Sequence, residues 1–292
     1  MQKEAQAQQT IKNAAFKQVT VYTDDAYKTM FKKEAKFYRV TCGATQQECM
    51  NDASLVKMEE IDPETAKRDG KILAVNGIFN TQERAGQLAY QNASLDGDKN
   101  KPSDITLMHI APAETTLGEL MVATYEQKMA STFGYTNADQ TYAEALQGRG
   151  AEATVSMGHS RGTIVQTNAF NIAAENGYTN PGLVVEGVGM AVPASTYIAS
   201  ATKVLGKDGN ASNITATYMT NDPVSVIAAG NPGDAMGAIF EFYNVMKTSN
   251  SAHSCYGTGA AGCATIANPV PGGPLPTNQH MNNVQVIRGA SQ

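Results

Sequence analysis

The chain has few charged side chains and shows no surplus of basic ones. Charged residues make up 17% of its 292 residues, and the formal net charge at pH 7 is -5. Nucleic-acid-binding proteins usually carry a basic surplus or a basic stripe, so this balance argues against a nucleic-acid partner. Hydrophobic residues make up 42%, which indicates a globular protein rather than a disordered or fibrous one.

Long apolar runs are also missing. No segment approaches the roughly 18 consecutive apolar residues that a membrane-spanning helix needs. The first ten residues, MQKEAQAQQT, are polar and lack the apolar core of a signal peptide. The sequence is therefore compatible with a cytosolic protein, or with a piece of a larger exported chain whose signal lies elsewhere.

Cysteine is scarce, with four residues in two closely spaced pairs. Cys42 and Cys49 lie seven positions apart, and Cys255 and Cys263 lie eight apart. Two local disulfides, formed in an oxidising compartment, are the favoured interpretation, and free thiols are the alternative. The tighter C-x2-C or C-x4-C spacing of zinc ligands is absent. We therefore expect no metal site, and no motif in the sequence calls for a cofactor.

Hydrophobic patterning changes near residue 70. We interpret residues 1–70 as a small N-terminal extension or linker, with an amphipathic helix over 24–40. From residue 71, short apolar runs alternate with helical segments, which predicts an α/β domain whose mostly parallel sheet carries helices on both faces. The expected strands are 72–75, 105–110, 153–157, 183–188, 214–219 and 283–288, and the expected helices include 115–132, 138–147, 162–176 and 234–247.

A Gly-x-Ser-x-Gly motif occupies residues 158–162, GHSRG. An expected strand ends just before it and an expected helix begins just after Ser160. This setting is typical of a nucleophile elbow, where a strained turn lifts the serine above the sheet edge and only glycine fits beside it. We predict that Ser160 is a nucleophile and that residues 71–292 form an α/β-hydrolase-like catalytic domain. The alternative is an ordinary glycine-rich turn.

A nucleophilic serine needs a base and an acid that orients the base. In this fold the chain order is serine, acid, histidine. Asp222 follows the expected strand 214–219 and is the favoured acid, whereas Asp234 is more typical of a helix start. His253, 31 residues after Asp222, is the favoured base, and His280 is the alternative base.

The two remaining histidines precede Asp222 in the chain. We expect His159 to be a packed side chain on the turn, and His109 to be structural or part of a pocket wall. Backbone N–H groups should bind the oxyanion in such a site. We predict that Arg161, directly after the nucleophile, supplies one N–H and Ile78 the other, with Gly77 or Phe79 as an alternative to Ile78. An ordinary Asn-Gly turn is the competing interpretation of this loop.

Four short segments together resemble the C-terminal toxin regions of filamentous-haemagglutinin and contact-dependent growth inhibition exoproteins. They are 75–80 (VNGIFN), 158–162 (GHSRG), 221–224 (NDPV) and 253–257 (HSCYG). The segment 221–224 also resembles the acid segment of class 3-type lipases, although no proline follows Val224. Where those lipases carry a His-Gly oxyanion pair, this chain carries Asn76-Gly77.

The resemblance implies a toxin module in the C-terminal part of a larger secreted exoprotein, delivered to a target bacterium. A cognate immunity protein would protect the producer, and a membrane phospholipid would be the substrate of a lipase-like ester hydrolysis. The side chain of Arg161 is expected to be a surface charge at a helix start, or else to reach a lipid phosphate. The alternatives are a nuclease toxin and a non-enzymatic binding module on a hydrolase fold.

Overall fold

A computed structural model describes residues 2–45, 48–49, 52–93, 105–152, 154–239, 241, 253 and 284–289. Its centre is one sheet of eight strands. In chain order the strands are β1 (Lys36–Cys42), β2 (Val56–Ile61), β3 (Ile72–Val75), β4 (Ile105–His109), β5 (Val155–His159), β6 (Val184–Val188), β7 (Ile214–Met219) and β8 (Val284–Arg288).

Helices surround the sheet and connect its strands. In chain order they are α1 (Gln2–Phe31), α2 (Pro63–Ala66), α3 (Gln82–Ala93), α4 (Thr116–Lys128), α5 (Ala130–Phe133), α6 (Asn137–Gly148), α7 (Arg161–Glu175) and α8 (Ala194–Leu205), followed by a π-helical turn over Val224–Ala228. No helix within the described ranges is long and apolar enough to cross a membrane.

The strand order is β2-β1-β4-β3-β5-β6-β7-β8. The five strands from β4 to β7 in this order run parallel, while β1 and β8 run antiparallel to their neighbours. Parallel neighbours need a crossover connection, and the helices between these strands supply it. The predicted α/β class with a mostly parallel sheet is therefore confirmed.

Both faces of the sheet are buried beneath helices. Leu73 and Val75 of β3 point to the face that packs against Tyr142 of α6 and Phe170 of α7. Their neighbours on β3 point to the other face, where α3 packs. Burial on both faces explains why β3 is a continuous apolar run, ILAV, instead of an alternation of apolar and polar residues.

The predicted helix over 24–40 is wrong in its second half. Helix α1 ends at Phe31, and Lys36 begins β1, which pairs with both β2 and β4. Tyr38, whose spacing from Tyr27 matches a helix, is buried in the sheet opposite Leu107. Pairing with two strands overrode the helical spacing. Two strands of the sheet thus precede residue 71, so the sheet extends across the expected boundary.

The first cysteine pair forms the predicted disulfide. Cys42, the last residue of β1, is bonded to Cys49 with a Cα–Cα distance of 5.9 Å. The bond closes the loop that leads from β1 toward β2. The expected Cys255–Cys263 bond lies outside the described residues.

Candidate active site

Ser160 occupies a strained turn between β5 and α7. Its backbone has φ 55° and ψ -124°, a region that residues with a side chain rarely adopt. Its N–H donates to the carbonyl of Val188 on β6 (2.9 Å), and its carbonyl accepts from both the N–H and the hydroxyl of Thr163 (2.8 Å each). These bonds hold the serine at the carboxyl end of the central strands.

Glycine is required on both sides of this turn because other atoms come too close. A Cβ on Gly162 would lie 2.5 Å from the carbonyl oxygen of Val75 and 3.0 Å from that of Asn76. A Cβ on Gly158 would collide with the side chain of Gln166. The first turn of α7 can therefore approach the end of β3 only with glycine at position 162, while glycine at position 158 leaves room for the Gln166 side chain of α7.

The structure brings Ser160, His253 and Asp222 into one hydrogen-bonded chain. The Ser160 hydroxyl lies 2.6 Å from Nε2 of His253. Nδ1 of His253 lies 2.9 Å and 3.1 Å from the two carboxylate oxygens of Asp222. All three side chains are almost fully buried. Because a carboxylate only accepts, we assign the proton to Nδ1, which leaves Nε2 to accept from the serine hydroxyl.

Asp222 is held in place by the start of the π-helical turn. Its carboxylate accepts from the N–H of Val224 and from the hydroxyl of Ser225, each at 2.9 Å. These donors fix the orientation of the carboxylate toward His253. They also support its ionised form in a buried position, where an unsolvated charge would otherwise be costly.

His159 packs directly against His253. Its Nε2 lies 3.1 Å from the backbone carbonyl of His253, and the two ring centroids are 5.2 Å apart. Since a carbonyl can only accept, Nε2 of His159 carries a proton and donates it. Burial, with a smaller contribution from the adjacent His253, lowers the pKa of His159 to about 3. His159 is therefore neutral at physiological pH.

The loop after β3 lies against Ser160 and is held by two side chains. Asn76 bridges to β4, because its amide oxygen accepts from the N–H of Ile110 (2.7 Å) and its amide nitrogen donates to the Ile110 carbonyl (3.2 Å). His109 bonds the carbonyl of Asn80 at 3.2 Å, which gives it the expected structural role. A Cβ on Gly77 would lie 2.8 Å from Cβ of Ser160. The backbone of this loop thus contacts the serine.

Ile78 and Arg161, the two predicted oxyanion donors, line one cavity together with Ser160. Arg161 is the first residue of α7, so its N–H has no acceptor within its own helix. The helix N-terminus also favours negative charge. Both the Arg161 N–H and the helix N-terminus would stabilise an oxygen that develops negative charge beside Ser160.

The side chain of Arg161 contradicts both sequence-based expectations, because it is neither exposed nor able to reach a lipid phosphate. It is 2% exposed and forms two hydrogen bonds of 2.7 Å to Glu126 and one of 2.8 Å to Glu119. The two glutamates lie two turns apart on one face of α4. This buried ion pair ties the turn that carries Ser160 to α4.

Burial and neighbouring charges shift the pKa values of Arg161 and of Asp139, which lies in the first turn of α6. Burial opposes the charge of Arg161, but Glu126 and Glu119 outweigh it and raise the pKa of the guanidinium. Burial and the charge of Glu126 raise the pKa of Asp139 to about 8.

A cavity of about 180 Å³ opens beside Ser160. Its walls come from the loop after β3, from α4, from α7 and from the π-helical turn. They are mostly apolar and include Ile78, Leu120, Ala123, Ile164, Val224 and Ile227. Leu120 and Ile227 are about half exposed at 45% and 51%, so apolar surface continues outward from the cavity. Such a site suits a ligand with a hydrocarbon portion next to the reactive group.

Two sequence-based candidates remain, Asp234 and His280. Asp234 begins the helical stretch 235–239, where its carboxylate accepts from the N–H of Gly237 at 3.0 Å. His280 lies outside the described residues. Sequence reasoning missed Glu119 and Glu126, whose spacing by seven placed them on one helix face without indicating a partner.

Comparisons with protein-family models, curated proteins and solved structures found no match to this chain.

Proposed function

We propose that this protein is a serine hydrolase of the α/β-hydrolase type that cleaves carboxylic esters. The observation that carries the proposal is the hydrogen-bonded chain from Ser160 through His253 to Asp222, with Oγ–Nε2 and Nδ1–Oδ2 distances of 2.6 and 2.9 Å. Its residues stand in the order serine, acid, histidine, and the serine occupies a strained strand-to-helix turn. Both features are typical of α/β-hydrolases.

In the first half of the reaction, Oγ of Ser160 attacks the ester carbonyl carbon while its proton moves to Nε2 of His253. Asp222 stabilises the resulting imidazolium. The carbonyl oxygen becomes an oxyanion that accepts hydrogen bonds from the N–H groups of Ile78 and Arg161. The bond to the alcohol then breaks, His253 donates the proton to the departing alcohol, and the acyl group stays on Ser160.

In the second half, water attacks the acyl carbon and gives a proton to His253. The bond to Ser160 breaks, and the serine takes this proton back as the carboxylic acid leaves. No step needs a metal ion or an organic cofactor. Every transferred proton passes through Nε2 of His253.

We further propose a lipid ester as the substrate, most simply a membrane phospholipid. The apolar walls of the cavity, including Leu120 and Ile164, support this choice because they would bury an acyl chain beside Ser160. Delivery as part of a larger exoprotein, toxicity toward a target bacterium and protection by an immunity protein stay predictions from the sequence resemblance.

The experiment that tests the proposal compares the wild type with Ser160→Ala on phosphatidylcholine vesicles and measures released fatty acid. We expect release by the wild type and a loss of at least roughly 1,000-fold in Ser160→Ala, as for other serine nucleophiles. Ser195→Ala, which changes an exposed serine on α8, is the matched control and should keep full activity.

Three outcomes would contradict the proposal. Fatty-acid release that survives Ser160→Ala would show that another group performs the hydrolysis. Cleavage of RNA or DNA by both proteins, with no fatty acid released, would favour the nuclease alternative. A protein that binds a partner but hydrolyses no ester would favour the binding module.

A further inference from the structure

A second histidine, His159, touches the main chain of His253, although the reaction described above gives it no role. It is the last residue of β5 and lies next to Ser160 in the sequence. Its imidazole is 5% exposed, stacks beside the ring of His253 and donates to the His253 carbonyl at 3.1 Å. It also contacts the loop after β3, because a Cβ on Gly77 would lie 2.9 Å from its Nδ1.

Within the described part of the chain, these contacts add a further constraint on His253. Asp222 and Ser160 form hydrogen bonds with the two ring nitrogens of His253. These bonds fix the ring relative to the two partners but do not hold the His253 backbone. The backbone of His253 needs an anchor of its own. If the main chain shifted, the side chain would rotate about its Cα–Cβ and Cβ–Cγ bonds, and the ring nitrogens would move relative to Ser160. The hydrogen bond from His159 supplies this anchor from the end of β5, directly before the turn that holds the serine.

We propose that His159 is a positioning residue that holds the backbone of His253 at the distance from Ser160 that proton transfer requires. The inference rests on the proposed hydrolase function. Displacement of a reacting group by about 1 Å can cost on the order of 100-fold in rate. An anchor between the serine's strand and the base therefore has a direct effect on turnover.

The chemistry of a neutral histidine suits this place. A cationic donor, such as lysine, would repel the imidazolium that forms on His253 during the reaction. A neutral imidazole provides the N–H without adding charge. Its flat ring also fills the space between His253 and the loop that carries the predicted oxyanion donor.

The test uses His159→Gln and His159→Phe. The glutamine amide reaches about as far as Nε2 and keeps an N–H donor, whereas phenylalanine keeps the ring volume and loses the donor. For a soluble short-chain ester, we expect His159→Phe to lower kcat by about 10- to 100-fold with little change in KM. We expect His159→Gln to restore most of this loss. Each rate is divided by the concentration of sites that react with a fluorophosphonate, so that unfolded protein does not lower the apparent kcat.

Thermal unfolding of each variant separates positioning from general stability. If both variants lose Tm equally but differ in kcat as expected, the positioning role holds. If both keep the wild-type kcat per titrated site and lose only Tm, or if both lose kcat equally, the proposal is overturned.

A further variant covers the case that His159→Phe does not fold. His159→Asn is polar like glutamine, but it is one methylene shorter and cannot reach the His253 carbonyl. Asparagine should therefore lower kcat relative to glutamine, and equal kcat values would overturn the proposal. Ser160→Ala in the same assay tests the proposed function separately. A wild-type rate in that variant would refute the hydrolase function, whereas a lost rate together with equal kcat values for the His159 variants would refute only the positioning role.

Discussion

Replacing Arg161 by methionine should strongly destabilise the fold, although its N–H stays in place. The guanidinium bonds both Glu119 and Glu126, and each of these residues is only 1% exposed. Arg161→Met leaves two buried carboxylates without their cation. Breaking a buried ion pair by removing one partner costs about 3–5 kcal/mol. Since domains are typically stable by about 5–15 kcal/mol, this loss is a large fraction of the free energy of unfolding.

The loss should depend on pH in a defined direction. Without Arg161, burial of Glu119 and Glu126 favours their protonated forms in the folded state. The folded state then binds up to two more protons than the unfolded state. The free energy of unfolding therefore falls as pH rises, by at most about 2.7 kcal/mol per pH unit.

Urea unfolding followed by circular dichroism at pH 5 and pH 7.5 measures both effects. Arg39→Met is the matched control, since Arg39 also bonds two carboxylates but its side chain is 38% exposed. The control should lose less than about 1 kcal/mol. Adding Glu119→Gln and Glu126→Gln to Arg161→Met should recover most of the stability, because neutral groups tolerate burial better.

A loss below about 1 kcal/mol in Arg161→Met would refute this account of the cluster, as would a loss that is equal at both pH values. A triple variant as unstable as the single one would also contradict it, since the penalty would then not come from uncompensated charge.

Three further predictions follow from the site. Asp222→Asn should lower kcat by on the order of 10⁴ with ester binding little changed, because the base then lacks its orienting carboxylate; steady-state kinetics would contradict this if kcat fell less than tenfold. Gly162→Ala should destabilise by about 1–3 kcal/mol, because its Cβ would lie 2.5 Å from the Val75 carbonyl; Gly182→Ala, whose nearest contact is 3.5 Å, should not, and equal Tm values would count against it. Below about pH 6.5, His159 is protonated in the unfolded state. In the folded state it stays neutral, because its pKa there is about 3. The free energy of unfolding therefore falls as the pH falls below about 6.5. Between pH 7 and pH 4.5, His159→Gln should lose less of this free energy than the wild type, as measured by urea unfolding.

The parts of the site that were predictable from sequence depend on short-range rules. Ser160 stands in a five-residue motif between an apolar strand and a helix, and the steric need for glycine at both flanks leaves a visible pattern. Asp222 directly follows a strand, and the carboxyl ends of parallel strands lie at the same edge of a sheet. The choice of His253 depended on chain order together with the small number of histidines.

What sequence could not supply depends on contacts between distant segments. The spacing of Tyr27 and Tyr38 fits a helix, yet β1 forms because strands β2 and β4 are available on either side of it. Arg161 resembles an exposed charge at a helix start until α4 places Glu119 and Glu126 against it. The contact between His159 and the His253 carbonyl joins residues 94 positions apart. No local pattern records such pairs.

The central claim is that Ser160 is a nucleophile activated by His253 and Asp222. Intact mass spectrometry after incubation with a fluorophosphonate tests it most directly, with peptide mapping to locate the adduct. The account predicts one adduct per chain, located on Ser160, absent in Ser160→Ala and formed much more slowly in His253→Ala and Asp222→Asn. A folded wild type that forms no adduct, or forms it on another residue, would contradict it.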